Sequence, residues 1–349
     1  MKNINTPKLF RIKISNYILI LALTVVVFNC KNEEKKEDNE AIGVEESPAP
    51  SSTYAEISIA EGGEWVDGSK GHKEYIGGTS FKNVDQLTVP KEHTDHAWYI
   101  RYEGPGWENK NIGYRLYLDW RNAIDIYGKK VDSMVLPYVG QDGFDSYHEP
   151  SDWGQDILKA GKSMGIGGFG RLVNDSIVHF NVVGETKAEI SNNSNESKVS
   201  IDYTDWVTAE DTINLSADLS IFPEGRETKV ELTPSKEISG LVTGIVKFPE
   251  IPMMQMNSQS GEWGAIYTYG NQTLVSETDK LGMAIIYKVG EVEAVKEGEF
   301  DQLVVFKPTT STITYYLLGA WEQEPDGIKS DEEFNSYIKD LLNNLDSDE

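Results

Sequence analysis

The sequence is poor in cysteine and in basic residues. It contains one cysteine, and its 32 lysines and arginines face 57 aspartates and glutamates, which gives a formal net charge of −25. A single cysteine leaves no partner for a disulfide within the chain, so stability must come from the packed core. The excess negative charge argues against nucleic acid as a partner, because the phosphates would be repelled.

The first thirty residues have the pattern of an export signal. Four basic side chains precede an apolar run at residues 17–28, which is short for a membrane span and stops just before the only cysteine, Cys30. We therefore predict a lipoprotein signal peptide over residues 1–29 and lipidation of Cys30. Asn29 stands where a small residue usually precedes the lipidated cysteine.

The residues after Cys30 have the composition of a tether. Residues 30–53 are charged and rich in proline and serine, without an apolar period, and such a segment is expected to be flexible. An acidic tract after a lipidated cysteine resembles the signal for the outer face of the outer membrane. We expect the N-terminal lipid to anchor the protein to the membrane, with the domain exposed at the cell surface. A periplasmic location is the alternative. Residues 54–349 are then expected to form one carbohydrate-active domain.

Helical periodicity is scarce before the C-terminus. Short alternating runs such as HAWYIRY (96–102) and SIVHFNVVG (176–184), bounded by Gly, Asn, Asp and Pro, predict an all-β fold of antiparallel sheets. One helix is expected near residues 330–345. Ser330 and Glu333 form a capping box there, and an apolar stripe begins at Phe334.

The most informative run is GYRLYLDWRN (113–122). As a strand, it would place Tyr114, Leu116, Leu118 and Trp120 on a core face and Arg115, Tyr117, Asp119 and Arg121 on the other face. Arginine forks suit carboxylates or sulfates, and adjacent aromatic rings suit sugar faces. The alternative is a ladder of surface salt bridges. The predicted substrate-binding residues are Arg101, Trp107, Arg115, Asp119, Arg121, Asp152 and Trp153.

A second polar stretch, YHEPSDWGQD, covers residues 147–156. We predict that it shares a cleft with the polar residues of 115–121, that Ser151 caps a brief helical turn, and that His148 is presented on a loop as a general base. Tyr147 or Tyr117 would be the proton donor. The alternative for His148 is a structural, hydrogen-bonded histidine.

A divalent metal is possible but is not required by the sequence. His93 and His96 could offer two imidazoles to a metal, and His148 with Glu149 or Asp152 could hold a hard cation. The glycines of GIGGFG (165–170) do not form a dinucleotide fingerprint, since no βαβ pattern surrounds them.

Three blocks of the chain, at residues 103–130, 147–170 and 320–338, resemble the family catalogued as domain of unknown function 4861. The resemblance runs in order from about residue 90 to 340. It implies a galactose-mutarotase-like β-supersandwich and a gene beside polysaccharide-degrading enzymes. One member is associated with an oligosaccharide dehydratase step in ulvan breakdown, which implies loss of water from a terminal uronic acid. The resemblance assigns no role to any single residue.

Three functions remain open from the sequence. In an elimination from an acidic oligosaccharide, Arg115 and Arg121 would neutralise a carboxylate while His148 takes a proton. A glycoside hydrolase would need two carboxylates, for which Asp119 with Asp152 or Asp156 is the pair to test. A surface glycan-binding protein would use the same arginines and aromatics without a base.

Overall fold

The computed structural model describes residues 52–144 and 146–347. The expected signal peptide, Cys30 and nearly all of the tether lie outside these residues and stay predictions. No helix of the described part is long and apolar enough to cross a membrane.

Strands dominate the described residues, with four short 3₁₀ turns and one α-helix between or after them. The strands are β1 (Thr53–Glu56), β2 (Ser58–Glu61), β3 (Glu64–Asp67), β4 (Lys73–Ile76), β5 (Ser80–Asn83), β6 (Gln86–Thr88), β7 (Gly106–Asn109), β8 (Ile112–Leu116), β9 (Ile124–Lys129), β10 (Gly154–Asp156), β11 (Ile166–Val173), β12 (Ser176–Val178), β13 (Glu185–Asn192), β14 (Ser197–Thr208), β15 (Asp211–Ile221), β16 (Glu227–Pro234), β17 (Leu241–Val246), β18 (Met254–Asn257), β19 (Trp263–Asn271), β20 (Lys280–Lys288), β21 (Val292–Glu297), β22 (Asp301–Phe306) and β23 (Ile313–Trp321). The 3₁₀ turns are Arg101–Glu103, Leu136–Tyr138, Ser146–His148 and Val289–Glu291, and the helix α1 is Asp331–Ser347.

These strands form one large sheet and two smaller ones, besides two hairpin-sized pairs, β2-β5 and β3-β4. The nine-stranded sheet has the order β18-β19-β20-β23-β16-β15-β14-β13-β6, and the five-stranded sheets have the orders β1-β7-β8-β9-β10 and β12-β11-β17-β22-β21. Every pair of named strands in the described residues is antiparallel, which confirms the predicted all-β antiparallel architecture.

Both five-stranded sheets lie on one face of the nine-stranded sheet. Alternation along β23 explains this, because residues 315, 317, 319 and 321 point to that face. The Tyr315 hydroxyl donates to the Gly167 carbonyl of β11 at 2.6 Å, and the Gly319 amide donates to the Tyr114 hydroxyl of β8 at 2.9 Å. The main hydrophobic core therefore lies between these layers.

The helix α1 covers the opposite face of the large sheet, which confirms the helix expected at residues 330–345. It begins at the predicted cap, where the Glu333 amide donates to Ser330 Oγ at 3.2 Å. Phe334 is buried against Gly282 of β20, where an added Cβ would lie only 2.6 Å from the phenyl ring. The helix can pack this closely because that strand position carries no side chain.

The predicted strand HAWYIRY does not form. His96, Trp98, Tyr102 and Glu103 all have positive φ, at 58°, 63°, 42° and 70°, and such left-handed residues cannot continue an extended strand. The segment instead runs as a loop into the 3₁₀ turn Arg101–Glu103.

The predicted polar strand row is also shorter than expected. Strand β8 ends at Leu116, so Tyr117, Asp119 and Arg121 lie in the turn that leads to β9. Ser151 caps no helix in the structure: its hydroxyl donates to the Gly154 carbonyl at 2.7 Å and closes a turn before β10. A 3₁₀ turn, Ser146–His148, precedes Ser151 in the chain.

Candidate functional site

A buried ion-pair cluster lies at the centre of the first five-stranded sheet. Arg115 on β8 stands directly opposite Asp125 on β9, and its Nη2 lies 3.0 Å from Asp125 Oδ2 and 2.7 Å from Asp156 Oδ2 on β10. All three side chains are buried. Three neighbouring strands thus each contribute one charge, and one arginine holds two carboxylates.

Three tyrosines surround the Arg115 guanidinium. The Tyr147 and Tyr117 hydroxyls each accept a hydrogen bond from it at 2.9 Å, and the Tyr127 ring centroid lies 5.7 Å from Cζ. The Tyr117 hydroxyl also donates to Asp125. Burial raises the pKa of Tyr147 to about 12, so this phenol keeps its proton at neutral pH.

Two adjacent buried carboxylates share the single charge of Arg115. Burial, followed by the negative charge of Asp156, raises the pKa of Asp125 to about 7, although Arg115 acts in the opposite direction. Near neutral pH, the cluster can therefore gain or lose a proton at little cost.

His148 stands at the solvent side of this cluster, at the end of its 3₁₀ turn. Its Nδ1 lies 3.2 Å from Asp156 Oδ2; the His148 side chain is 41% exposed and that of Asp156 is 1% exposed. A buried carboxylate on Nδ1 fixes the imidazole and leaves Nε2 available, which is the arrangement of a histidine general base. The His148 and Tyr147 rings are also neighbours, with centroids 4.5 Å apart.

Arg121 forms a second ion-pair group beside the first. Its Nη2 contacts Asp119, Asp95 and Glu103 at 2.5, 3.0 and 3.2 Å, and its side chain is 15% exposed. Burial alone would raise the pKa of Glu103, but the charges of Arg121 and Arg115 outweigh it and lower the pKa to about 2. Glu103 therefore stays ionised and holds Arg121 in place.

Tyr117 connects the two groups. The Arg115 and Arg121 guanidinium carbons lie 4.7 and 3.9 Å from the centroid of its ring. The structure thus brings the polar residues of 115–121 and the stretch 147–156 into one network through Arg115.

The structure corrects several predicted ligand contacts. Trp107 is fully buried in the core, where its Nε1 donates to Thr228 Oγ1 at 2.8 Å, so it has no face for a sugar. Arg101 is buried in an ion pair with Glu56, and Arg115 is equally enclosed. Neither arginine can reach a bound carboxylate directly.

The remaining predicted contacts differ in exposure. Asp119 has no exposed side-chain surface and binds Arg121 instead of solvent. Asp152 is exposed on the loop before β10. Trp153 is half-buried, with its ring edge-on to Tyr127 at 6.0 Å. Asp152 and Trp153 stay predictions.

Three side chains have the chemistry of a cation site. The ligand atoms of Asp95, His96 and Glu103 lie within 4.8 Å of one another. Arg121 already contacts both carboxylates, so a metal would compete with it. His93 does not belong to this group, so the structure does not support the predicted pairing of two imidazoles.

The most important residue missed from the sequence is Asp125. The run IDIY (124–127) alternates polar and apolar side chains, which places Asp125 and Tyr127 on one strand face beside Arg115. This alternation is the sequence signal from which Asp125 could have been predicted. Asp156 was named only as half of a hydrolase pair, whereas the structure makes it the partner of both Arg115 and His148.

Three surface cavities lie near the network. The Asp119 cavity, of about 370 Å³, is lined by Asp119, His93 and Trp120, and the Phe300 cavity, of about 340 Å³, by Trp120, His179, Phe300 and Asp301. The Trp98 cavity, also about 340 Å³, is lined by Trp98 and Phe144. Trp120 was expected on a core face, but it is 40% exposed.

The carboxyl of Asp301 in the Phe300 cavity should make stability depend on pH. Burial raises its pKa to about 7, although the Met164 amide donates to it at 2.9 Å. The folded state then holds this proton more tightly than the unfolded state, so stability is highest below the unfolded pKa and falls as pH rises through 7. Between pH 5 and pH 8 the loss should be roughly 3 kcal/mol.

Asp301→Asn should remove this component, since an amide oxygen can still accept the Met164 hydrogen bond. Urea unfolding at several pH values measures the effect, with Asp175→Asn, an exposed carboxylate of the same cavity, as the control. Equal pH dependence in Asp301→Asn and in the unmodified chain would contradict the assignment.

Fold and site together define an all-β, antiparallel, layered protein with an exposed histidine backed by a buried carboxylate. Residues 25–348 match the family model described as Domain of unknown function (DUF4861), and the chain belongs to that family. No curated protein matches it.

Among solved structures, the chain is similar to the crystal structure of 4-alpha-glucanotransferase from Thermococcus litoralis, at 11% identity with a TM-score of 0.29. The match covers 67% of this chain and 39% of the glucanotransferase, so the chain spans about two fifths of the length of that enzyme.

Proposed function

We propose that this protein is an enzyme that eliminates water from an acidic oligosaccharide, with His148 as the base. The observation that carries the proposal is the contact between exposed His148 and buried Asp156, 3.2 Å apart. A carboxylate in this position stabilises the imidazolium that forms when a proton is taken. A glycan-binding protein would have no need of this pair.

The reaction we propose begins at the carbon beside a uronic acid carboxylate. Nε2 of His148 takes the proton from that carbon, and the electron pair left behind forms a double bond to the next carbon. The hydroxyl on that next carbon then leaves as water, after it receives a proton from an acid.

Tyr147 is the acid that the contacts favour. Its hydroxyl oxygen accepts from Arg115, so its own hydrogen is free to be donated, and its ring is next to that of His148. The Tyr117 hydroxyl, by contrast, already donates to Asp125. Arg115 would also stabilise the Tyr147 phenolate left after the transfer.

Arg121 is the cation best placed to neutralise the substrate carboxylate. It is the most accessible arginine of the network, and its partner Asp95 is 39% exposed. We propose that the substrate carboxylate takes the place of Asp95, while Glu103 and Asp119 keep the guanidinium oriented. Exchange of one carboxylate for another keeps the local charge constant.

Hydrolysis with a carboxylate pair has less support. Asp119 and Asp156 are both buried in ion pairs with arginines, and neither is free to protonate a glycosidic oxygen or to activate water. Of these three aspartates, Asp152 is the one that is exposed, and a hydrolase of the usual kind needs two carboxylates at the substrate.

The test is incubation of the protein with a panel of oligosaccharides that end in a uronic acid. We expect a product lighter by one water and a new ultraviolet absorbance from the double bond conjugated to the carboxylate. A product heavier by one water would show hydrolysis instead. Binding without any change in mass would show a glycan-binding protein, and either result would overturn the proposal.

The proposal extends to where the protein works. A lipid on Cys30 would anchor the chain to the outer membrane, and the tether of residues 30–53 would hold the domain away from the bilayer. At the cell surface, the enzyme would meet oligosaccharides released from an external polysaccharide.

A further inference from the structure

We infer that Trp120 is the stacking platform of a separate subsite, which binds a neutral sugar ring of the same oligosaccharide. The inference rests on the proposed function, because it assigns the rest of the ligand whose reacting uronic acid lies at His148. The observation behind it is that Trp120 lines both the Asp119 cavity and the Phe300 cavity.

Trp120 is exposed in a way that core packing does not explain. It lies in the turn after β8 with 40% of its surface accessible, and Phe300 across the Phe300 cavity is 37% exposed. Single exposed aromatics are common, but two that face one concave surface are typical of a binding site. The flat apolar face of a sugar ring fits such a surface.

The Trp120 ring is held in place by a neighbouring side chain. His179 packs edge-on against it, with centroids 5.6 Å apart and an interplanar angle of 87°. The His179 Nδ1 lies 3.1 Å from the Arg121 carbonyl, so the imidazole that supports Trp120 is itself fixed by backbone. Burial lowers the pKa of His179, which keeps this ring neutral and able to donate that bond.

We infer that the subsite adjoins the proposed reaction site. Trp120 lies between Asp119 and Arg121 in the chain, and those two side chains form the ion pair beside Tyr117. Asp119 also lines the Asp119 cavity. A sugar chain that places its terminal carboxylate on Arg121 would therefore run over the neighbouring Trp120.

The charges around Trp120 indicate a neutral sugar unit. Asp175 at this cavity is ion-paired with Lys296, and burial raises the pKa of Asp301 to about 7, so Glu299 and Lys162 leave little net charge. The cavity thus has no excess positive charge to attract a carboxylate or sulfate, whereas neutral sugar hydroxyls can donate to its carboxylate oxygens. The reacting uronic acid and the stacked unit are thus expected to differ in charge.

The test is a length series of oligosaccharides that alternate glucuronic acid with a neutral sugar, from disaccharide to hexasaccharide. Calorimetry would measure Kd in a His148→Ala background, so that the ligand is not consumed. We expect affinity to rise with length, and Trp120→Ala to remove that gain and weaken hexasaccharide binding about tenfold. Trp120→Phe should keep part of it.

Two further variants make the result decisive. Phe300→Ala removes the facing aromatic and should also reduce the gain with length, which provides a second measurement if Trp120→Ala does not fold. Tyr138→Ala removes an exposed aromatic that lines none of the three cavities and should leave every Kd unchanged.

The outcomes separate this inference from the proposed function. If the length dependence survives in both Trp120→Ala and Phe300→Ala, the subsite is wrong even where water is eliminated. If the length dependence is lost but the unmodified protein releases no water, the subsite stands and the reaction fails. If no oligosaccharide of the series binds, both are wrong.

Discussion

His148→Ala should lower kcat by about three orders of magnitude while the Kd for the oligosaccharide changes little. The imidazole is the exposed member of the His148–Asp156 pair and is the base of the proposed reaction. Binding depends on Arg121 and on the rest of the sugar chain. The loss should therefore be confined to the chemical step, which single-turnover kinetics measures directly.

Asp156→Asn should produce a smaller loss of the same kind. The amide would still lie near Nδ1 but would carry no charge to stabilise the imidazolium, so kcat should fall while the Kd for the oligosaccharide changes little. His72→Ala, which alters a histidine between β3 and β4, is the control. Full activity in His148→Ala would remove the base from the mechanism and return His148 to a structural role.

Arg115→Met should destabilise the fold by about 3 to 5 kcal/mol, since it leaves two buried carboxylates facing each other without a cation. From the sequence alone, Arg115 is expected to bind the substrate. The structure changes that expectation, because Arg115 is buried and bonds to Asp125, Asp156 and two tyrosines. Denaturant unfolding at neutral pH is the measurement.

A double variant separates charge from packing. Asp125→Asn alone should have a small effect, because one of two like charges is removed while Arg115 keeps Asp156. Arg115→Met combined with Asp125→Asn should recover part of the loss, and the remainder reports lost hydrogen bonds. If the double variant is no more stable than Arg115→Met, unpaired charge is not the cause.

Much of the fold was predictable because its signals are local. The C-terminal helix carries its cap at Ser330 and its apolar stripe within one short segment. The alternating runs of β14 as far as Tyr203 and of β15 as far as Leu219 bury every second residue in the structure as they do in the pattern. Each of these elements has one face on the core and one toward solvent, which is the condition under which alternation can be read.

The first five-stranded sheet does not meet that condition. A second layer, formed by residues such as Leu136, Val139 and Tyr147, covers its outer face, so β7, β8 and β9 are buried on both sides. Arg115 looked like a binding side chain in sequence because polar strand residues normally face solvent. Arg115 is buried because loops cover this face of the sheet. No local sequence pattern specifies the path of those loops.

The loop before this sheet was unpredictable for a different reason. His96, Trp98, Tyr102 and Glu103 adopt left-handed conformations without being glycine. Such conformations are imposed by tertiary contacts, here including the hydrogen bond that the His96 backbone amide donates to Glu103 Oε1. An alternating sequence such as HAWYIRY carries no sign of them.

The proposed site depends on whether the short edge strand β10 stays paired with β9. Strand β10 is a three-residue strand at the edge of its sheet, paired only with β9, and Asp156 is its last residue. Short edge strands open more readily than central ones, well before a domain unfolds as a whole. Fraying of β10 would free His148 from its carboxylate, so on heating the proposed activity should be lost while the protein is still folded.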